Sequence, residues 1–349
     1  MTLSMARRQP AVVREQGWDA LAAAYPGWSE TDLRQLLAES SWIYDFEAFT
    51  QLRIRAKTGR FVNIDAAGFR HVASQAPWPP RRDALNVFLY GGSNLLGSGL
   101  PDAQTIPSVL QDMLRRTRPD VAVYNFGRSY YYSSQERALF ERHILKGVGP
   151  HVAVFLDGLN EFVYPDDEPQ WTGALRNMIS TRHLTMVDPL RGMGEMVGWF
   201  VRTARRRLLA PPPRPSDPAP AARGDAETVV DRWLLNRRLT EALGEEVGIT
   251  TLFAWQPVPT FGYDLSLHGF VKAADGFGPF NSSAAGYALM ARLRDEGRVD
   301  PRVLWLADMQ DRATGNLYVD NVHYNAAFSA AVAGRIADTL RECGLVIRP

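Results

Sequence analysis

The sequence predicts an α/β protein with a central parallel sheet and helices on both of its faces. Short, nearly continuous apolar runs recur along the chain, turn-forming residues follow them, and helix-like stretches lie between them. Strands that are buried on both faces of a parallel sheet have such runs, and parallel neighbours require a crossover connection, usually a helix. We therefore expect a three-layer α/β/α sandwich with about five parallel strands.

Residues 1–82 precede this alternation and are interpreted as an N-terminal accessory segment. Helical signals extend over residues 18–39, where Ser29-Glu30-Thr31-Asp32 fits a helix start, and residues 61–70 are expected to be extended. The prolines of Trp78-Pro79-Pro80 then interrupt regular structure. The main domain is predicted to span residues 83–349.

Strands and helices alternate through the main domain. The predicted strands cover residues 86–90, 121–125, 152–156, 250–255 and 303–306. The predicted helices cover about residues 105–116, 133–146 and 227–245, and a last helix presents on one face, at intervals of four, Phe328, Val332, Ile336 and Leu340.

Residues 165–226 are predicted to be an insertion in this pattern. They contain an apolar and basic helix candidate, residues 193–207, and a proline-rich stretch from Pro211 to Ala222 that is expected to be an extended or disordered linker. Three roles are open for the helix: docking on the domain, covering the site as a lid, or lying on a membrane surface, where arginines beside an apolar stripe are typical. Docking is the favoured role, and membrane contact is the least favoured.

The composition restricts the class of protein. A formal net charge of +1 gives no electrostatic reason to expect nucleic acid as a partner. The single cysteine, Cys343, excludes an internal disulfide and a multi-cysteine metal site. Neither a signal peptide nor a run of roughly 18 apolar residues is visible, so a cytoplasmic location is expected.

Two distant motifs supply the groups that acyl transfer through a covalent intermediate requires. Ser93 follows the first predicted strand, and Asp320 and His323 lie just before the last helix. A serine is a weak nucleophile until a base accepts its proton, and histidine is the base whose ordinary pKa lies nearest neutrality. An aspartate can hold the imidazole in the required tautomer. Each residue also has a structural alternative, as a helix cap or a turn residue.

Four sequence blocks together resemble the SGNH hydrolases, also called the GDSL-like esterase and lipase superfamily. The blocks, in the family's order, are Gly91-Gly92-Ser93-Asn94, Asn125-Phe126-Gly127-Arg128, Gly158-Leu159-Asn160-Glu161 and Asp320-Asn321-Val322-His323. The resemblance covers about residues 84–342 and implies the three-layer fold. Gly92 and Glu161 replace aspartates of the family pattern, and neither position carries the acyl chemistry.

The resemblance implies a role for each matched residue. Ser93 would be the nucleophile, His323 the general base and Asp320 the carboxylate that orients the base. The oxyanion hole would consist of the backbone amides of Ser93 and Gly127 and the side-chain amide of Asn160. Two interpretations are open for Tyr130, Tyr131 and Tyr132, which follow Gly127: they could line an acyl or aromatic pocket, or they could pack in the core. Packing is favoured for at least one of them.

The function predicted on these grounds is hydrolysis of a carboxylic ester through an acyl-enzyme, with a small-molecule or glycan ester as substrate. No metal or organic cofactor is expected. Two alternatives remain open: an acyltransferase that uses the same residues with a carbohydrate or other hydroxyl acceptor, and a non-catalytic member of the fold that binds a ligand. The remaining histidines have no metal-ligand spacing and are interpreted as surface or structural residues: His71, His143, His151, His183 and His268.

Overall fold

The computed structural model of the protein describes residues 17–181 and 223–344. Its first elements are two helices, α1 (Trp18–Ala24) and α2 (Glu30–Glu39). The predicted helix start is confirmed, because the Ser29 hydroxyl accepts a hydrogen bond from the Asp32 amide at 3.1 Å. The helical stretch predicted over residues 18–39 is interrupted at Pro26-Gly27, which cannot continue a helix without cost.

An antiparallel hairpin follows these helices. Its strands are β1 (Tyr44–Glu47) and β2 (Gln51–Ile54), neither of which the sequence predicted. Residues 61–70 are predicted to be extended, but they form isolated β-bridges rather than a regular strand. The bridges join Ile64 to Lys57 and Arg70, and Arg70 to Asn125.

Five parallel strands form the centre of the fold, as predicted. They are β3 (Leu85–Gly91), β4 (Val121–Gly127), β5 (Val152–Asp157), β6 (Thr250–Trp255) and β7 (Leu304–Trp305), in the spatial order β4-β3-β5-β6-β7. The chain moves from β3 outward to β4 and then returns past β3 to β5. Ligands of such open sheets bind outside the carboxyl ends of the strands where the order reverses.

Helices cover both faces of this sheet. They are α3 (Ser93–Leu96), α4 (Ile106–Arg115), α5 (Ser133–Leu145), α6 (Thr172–Thr181), α7 (Arg223–Glu246), α8 (Ser283–Asp295) and α9 (Ala326–Glu342). Helices α4 and α9 pack together on one face, whereas α5, α7 and α8 cover the other. This arrangement confirms the predicted three-layer α/β/α sandwich. The helix candidate of residues 193–207 and the linker of residues 211–222 lie outside the described residues.

The strand sequences differ between the two faces of the sheet. Side chains alternate along a strand, so neighbouring residues point to opposite faces. One face is aromatic, with Phe88, Tyr90, Tyr124, Phe126, Phe155, Phe253 and Trp255. The other face is aliphatic, with Val87, Leu89, Val121, Val123, Val154 and Leu252. The apolar runs are continuous because both faces are buried.

The N-terminal segment packs directly on the sheet domain. The Arg70 side chain is fully buried, and its guanidinium donates hydrogen bonds to the carbonyl oxygens of Leu96 and Gly97 at 2.8 and 2.6 Å. It also forms an ion pair with Asp102 at 2.9 Å. The second contact is a group of buried apolar side chains that we call the N-terminal cluster. It joins residues of α1 and α2 to later parts of the chain and includes Leu21, Leu33, Leu36, Leu37, Leu100 and Val319. In the part of the chain that the structure describes, no helix is long and apolar enough to cross a bilayer.

Candidate active site

Ser93 lies at the carboxyl end of β3, where the chain turns into helix α3. Gly91 ends the strand, Gly92 connects it, and Ser93 is the first residue of the helix. Asn94 joins this turn to the C-terminal part of the chain, because its side-chain oxygen accepts a hydrogen bond from the Tyr324 amide at 3.2 Å. The turn therefore holds the Ser93 hydroxyl at the edge of the sheet where a ligand is expected.

The loop between β7 and α9 brings Asp320 and His323 to the same place. One oxygen of Asp320, Oδ1, accepts hydrogen bonds from the amides of Val322 and His323, both at 2.9 Å. The Val319 amide donates to the His323 carbonyl at 2.8 Å, which closes the loop. The turn-forming role that the sequence left open for Asp320 is thus real, and it uses only one of the two carboxylate oxygens.

The second oxygen of Asp320 completes a chain of hydrogen bonds that ends at Ser93. Asp320 Oδ2 lies 2.6 Å from His323 Nδ1, and His323 Nε2 lies 2.8 Å from Ser93 Oγ. Burial alone would raise the pKa of Asp320, but the His323 ring and the hydrogen bonds from this loop lower the pKa below its usual value. The carboxylate is therefore ionised and can only accept, so the Nδ1 proton points to it.

This assignment fixes the direction of the remaining hydrogen bond. With the proton on Nδ1, the Nε2 atom of a neutral ring has a free lone pair, and the Ser93 hydroxyl donates to it. All three side chains are partly exposed, so a substrate can reach them. The arrangement can remove the hydroxyl proton while the oxygen attacks an electrophilic carbon.

Gly127 does not lie where the sequence predicted. Its backbone amide donates to the Asn125 side-chain oxygen at 2.9 Å, and the residue is not part of the cleft that contains Ser93. A Cβ atom at this position would lie 2.4 Å from the Leu96 amide nitrogen, so the glycine is required for close packing of β4 against α3. The expected oxyanion role of the Gly127 amide is therefore wrong for this conformation, because the amide is already used.

Asn160 is buried beside Gly92, the residue before Ser93, and is not among the residues that line the cleft. Its side-chain nitrogen Nδ2 donates one hydrogen bond to the Tyr131 carbonyl at 2.7 Å. A Cβ atom on Gly92 would lie 2.3 Å from the same nitrogen, which explains why a residue without a side chain precedes Ser93. An amide nitrogen carries two protons, and the second remains to be donated.

The turn that follows β4, residues 128–131, contributes to the cleft, whereas Gly127 does not. The Arg128 carbonyl accepts from the Tyr131 amide at 3.3 Å, and both Ser129 and Tyr130, at the turn's centre, line the cleft beside Ser93. Within residues 17–181 and 223–344, no group accepts a hydrogen bond from the amides of these two central residues. Tyr131 and Tyr132 are buried, which confirms the packing that was favoured for at least one of the three tyrosines, whereas Tyr130 is partly exposed.

The cleft has a volume of about 490 Å³, and much of its wall comes from the N-terminal segment. This segment contributes Tyr25, Leu37, Ser40, Ser41, Trp42 and Tyr44, none of which the sequence indicated as site residues. No motif could have identified them, since their contact with Ser93 depends on how the segment folds back over the sheet. Phe280 contributes to the same cleft.

His268 supports the loop of Asp320 and His323 from inside the protein. It is fully buried, and its Nδ1 atom accepts hydrogen bonds from the amides of Phe270 and Val271, both at 3.1 Å. The proton must then be on Nε2, which donates to the Asn321 carbonyl at 3.2 Å. Burial lowers the pKa of His268 to about 4. The structural interpretation of this histidine is correct, and its contact is with the loop that carries Asp320.

Three buried carboxyl groups lie beneath the site. Glu161, next to Asn160, accepts hydrogen bonds from the Ser133 amide at 2.7 Å and the Ser133 hydroxyl at 2.9 Å. Burial, together with the neighbouring Asp157, raises the pKa of Glu161 to about 8. Burial raises the pKa of Glu136 in the same way, well above its usual range. Within the described ranges, no group of three or more histidine, cysteine or acidic residues is arranged to hold a metal ion.

Comparison with known proteins gives matches only among solved structures. No protein-family model and no curated protein matches the sequence. An acetylxylan esterase from Geobacillus stearothermophilus is similar over 76% of this chain and 96% of its own, with 11% identity and a TM-score of 0.40. A carbohydrate acetylesterase from Sinorhizobium meliloti covers 74% of this chain and 99% of its own, with 12% identity and a TM-score of 0.38. A GDSL-like lipase from Bacteroides thetaiotaomicron covers 76% of this chain and 92% of its own, with 10% identity and a TM-score of 0.35.

Proposed function

We propose that the protein hydrolyses a carboxylic ester through an acyl-enzyme on Ser93. The observation that carries this proposal is the continuous chain from Asp320 through His323 to Ser93, with separations of 2.6 and 2.8 Å. Residues more than 220 positions apart in sequence meet in the geometry that nucleophilic catalysis requires. If these residues were only a helix cap and a turn residue, nothing would require this chain of hydrogen bonds between them.

Acylation uses each member of this chain. Ser93 Oγ attacks the ester carbonyl carbon while its proton passes to His323 Nε2. The tetrahedral intermediate then breaks its bond to the alkoxide, which leaves as the alcohol with that proton. The product is an ester of Ser93, and Asp320 stabilises the imidazolium while it exists.

Deacylation repeats these steps with water. His323 Nε2 accepts a proton from a water molecule whose oxygen attacks the acyl carbon. The second tetrahedral intermediate releases the Ser93 oxygen, which recovers the proton, and the carboxylic acid departs. If a sugar or other alcohol enters the cleft instead of water, the same intermediate gives acyl transfer.

The negative charge that develops on the carbonyl oxygen needs hydrogen-bond donors that are held in place beforehand. The Ser93 amide is the first amide of α3 and has no partner within that helix. We assign the second donor to the remaining Nδ2 proton of Asn160, whose side-chain amide lies beside Gly92, the residue before Ser93. We assign the third donor to the turn of Ser129 and Tyr130, whose amides have no acceptor among the described residues, rather than to Gly127.

Labelling with a fluorophosphonate probe tests the assignment of the nucleophile. The wild-type protein should be labelled on Ser93, and Ser93→Ala should not be labelled. Ser266→Ala, which removes an exposed serine outside the cleft, should be labelled like the wild type. Labelling of another serine, or labelling that persists in His323→Ala at the wild-type rate, would refute the mechanism. Hydrolysis of ethyl acetate with and without added glycerol then separates hydrolysis from acyl transfer.

A further inference from the structure

Two elements contribute aromatic residues to the cleft that contains Ser93. The N-terminal segment contributes Trp42 and Tyr44, and the turn after β4 contributes Tyr130. The two elements meet, because Ser129, in the same turn, lies within hydrogen-bond reach of the Tyr44 phenol. The cleft therefore contains a group of neighbouring aromatic residues as well as the candidate nucleophile.

The backbone of Tyr130 adopts an unusual conformation. Its φ angle is +62°, in the left-handed region, and it is the third residue of a four-residue turn. A positive φ at this position favours glycine or asparagine, and a bulky residue is strained there. The Tyr130 side chain is 39% exposed, so burial in the protein does not explain why a tyrosine is retained. Strain at a residue that faces a cleft points to a role for its side chain.

The charges and hydroxyl groups of the cleft restrict the ligand. Among the described residues that line it, only Asp320 and His323 have acidic or basic side chains, and both belong to the proposed catalytic chain. An anionic or cationic substrate would find no further charged partner among these described lining residues. Serine hydroxyls surround the aromatic groups instead, from Ser40, Ser41, Ser98 and Ser129.

One of these hydroxyls lacks a partner. The Ser40 oxygen is buried, and none of the described residues forms a hydrogen bond with it. A buried polar atom without a partner costs free energy unless a ligand or a water molecule completes it. A ligand with its own hydroxyl groups would find partners in the other serines that line the cleft, Ser41, Ser98 and Ser129.

We propose that Trp42, Tyr44 and Tyr130 form a subsite for an uncharged, hydroxyl-bearing ring, such as a neutral sugar, in the alcohol part of the ester. This inference rests on the proposed ester hydrolysis at Ser93. A sugar ring has an apolar face that packs on aromatic side chains and hydroxyl groups that bind the serines. Tyr130 is the specificity-determining residue, and the strain at its backbone is retained because the phenol ring contacts this part of the substrate.

The experiment compares two substrates of the same acyl group, a monoacetylated methyl glucoside and ethyl acetate. In Tyr130→Gly the ratio of their kcat/KM values should shift against the sugar ester by about tenfold, the effect of one lost aromatic contact. The shift should arise mainly from KM of the sugar ester, and Tyr130→Phe should retain most of the selectivity. The backbone of the glycine variant is relieved of strain, so its Tm should not fall.

Phe49→Gly is the matched control. Phe49 also has a positive φ, +67°, and an exposed ring, but it lies outside the cleft. Its substitution should leave the ratio unchanged. An unchanged ratio in Tyr130→Gly, or the same shift in Phe49→Gly, would overturn the proposed subsite. If Tyr130→Gly loses more activity toward vinyl octanoate than toward the sugar ester, the subsite binds an alkyl chain rather than a sugar, and the proposal is overturned.

A binding measurement separates this proposal from the proposed function. Ser93→Ala should bind the monoacetylated methyl glucoside in ligand-detected NMR, and binding should weaken in the double variant with Tyr130→Gly. Binding without fluorophosphonate labelling of Ser93 in the wild type would refute the hydrolase and leave the subsite. Labelling of Ser93 without binding or turnover of the sugar ester would refute the subsite and leave the hydrolase.

Discussion

The Nε2 atom of the buried His268 donates a hydrogen bond to the carbonyl of Asn321, the residue between Asp320 and Val322. The ring also stacks on Tyr318, with ring centroids 5.0 Å apart. Because the Nδ1 atom accepts from two backbone amides, a proton there would break both bonds. His268 is therefore a positioning residue for the proposed catalytic loop, and it acts only in its neutral form.

Replacement of His268 by phenylalanine should lower kcat roughly ten- to hundredfold with little change in KM, because a small displacement of Asp320 and His323 weakens catalysis more than binding. Steady-state kinetics well below Tm measures the effect. His143→Phe is the control: His143 is also a buried neutral histidine, but its ring bonds to the Tyr90 phenol in the core. It should lose stability and keep kcat. Equal losses of kcat in the two variants would contradict the positioning role.

Asp320→Asn should reduce kcat by about 10³- to 10⁴-fold without unfolding the protein. The amide oxygen can still accept from Val322 and His323, so the loop keeps its shape, but its NH₂ group cannot accept from Nδ1. The ring then favours the tautomer with a proton on Nε2, which cannot accept from Ser93. Single-turnover kinetics and thermal unfolding measure the two effects. Activity close to that of the wild type would rule out the proposed role.

Asn160→Ala should lower kcat roughly 10²- to 10³-fold, the usual loss for one oxyanion donor. KM should change less, since the donor acts on charge that develops during the reaction. Asn281→Ala serves as control, because the Asn281 side chain binds backbone groups away from the cleft. If Asn160→Ala raises KM and leaves kcat intact, Asn160 binds the substrate rather than the oxyanion.

Gly127→Ala tests the corrected position of Gly127. Alanine retains the backbone amide, so a pure oxyanion role would tolerate it. The close contact with Leu96 predicts instead a loss of about 1–3 kcal/mol in the free energy of unfolding, as expected from overpacking. Denaturant unfolding measures this loss. Unchanged stability would show that β4 and α3 can separate at no cost.

Glu161 should make the protein less stable as the pH rises. Its folded pKa of about 8 lies above the ordinary value of 4.5, so the folded state binds the proton more tightly than the unfolded state. The associated stability is complete below the unfolded pKa and is lost as the pH rises through about 8. In Glu161→Gln, Tm should fall less between pH 5 and pH 9 than in the wild type.

Asp300 provides a control of opposite sign. Its hydrogen bonds with Arg302 lower the pKa of Asp300 to about 2. The stability that it contributes is present above its unfolded pKa and disappears as the pH falls through about 2. Asp300→Asn should therefore lower Tm at neutral pH and not in strong acid. Parallel pH profiles for the two variants would contradict both assignments.

The sequence was sufficient to predict the sheet because its strands are buried on both faces. A continuous apolar run as short as Val152–Asp157 is typical of a buried strand and too short for a buried helix. The helices between such runs then indicate that neighbouring strands are parallel. The meeting of Ser93, Asp320 and His323 could be predicted, because nucleophilic catalysis would require these residue types together near strand ends. The short fifth strand was predicted too long, because apolar residues continue beyond its two paired positions.

Other features depend on tertiary contacts that no local pattern encodes. The hairpin of β1 and β2 turns through Phe49 and Gln51, which have positive φ angles without being glycine or asparagine. The usual turn signal is therefore missing. The Gly127 block matched a family pattern, but the position of its amide depends on Asn125 and on the packing of α3. The aromatic walls of the cleft arise only when the N-terminal segment folds over the sheet.

The N-terminal cluster also affects the order in which the protein can fold during synthesis. The leucines of α1 and α2 leave the ribosome early, whereas Val319, on which they pack, is added about 280 residues after Leu37. At typical rates of translation this interval is on the order of half a minute. Until Val319 is made, the leucines of α1 and α2 can pack only on earlier members of the cluster, such as Leu100. The N-terminal cluster is therefore completed only after most of the sheet domain has been synthesised, although its helices precede that domain in the chain.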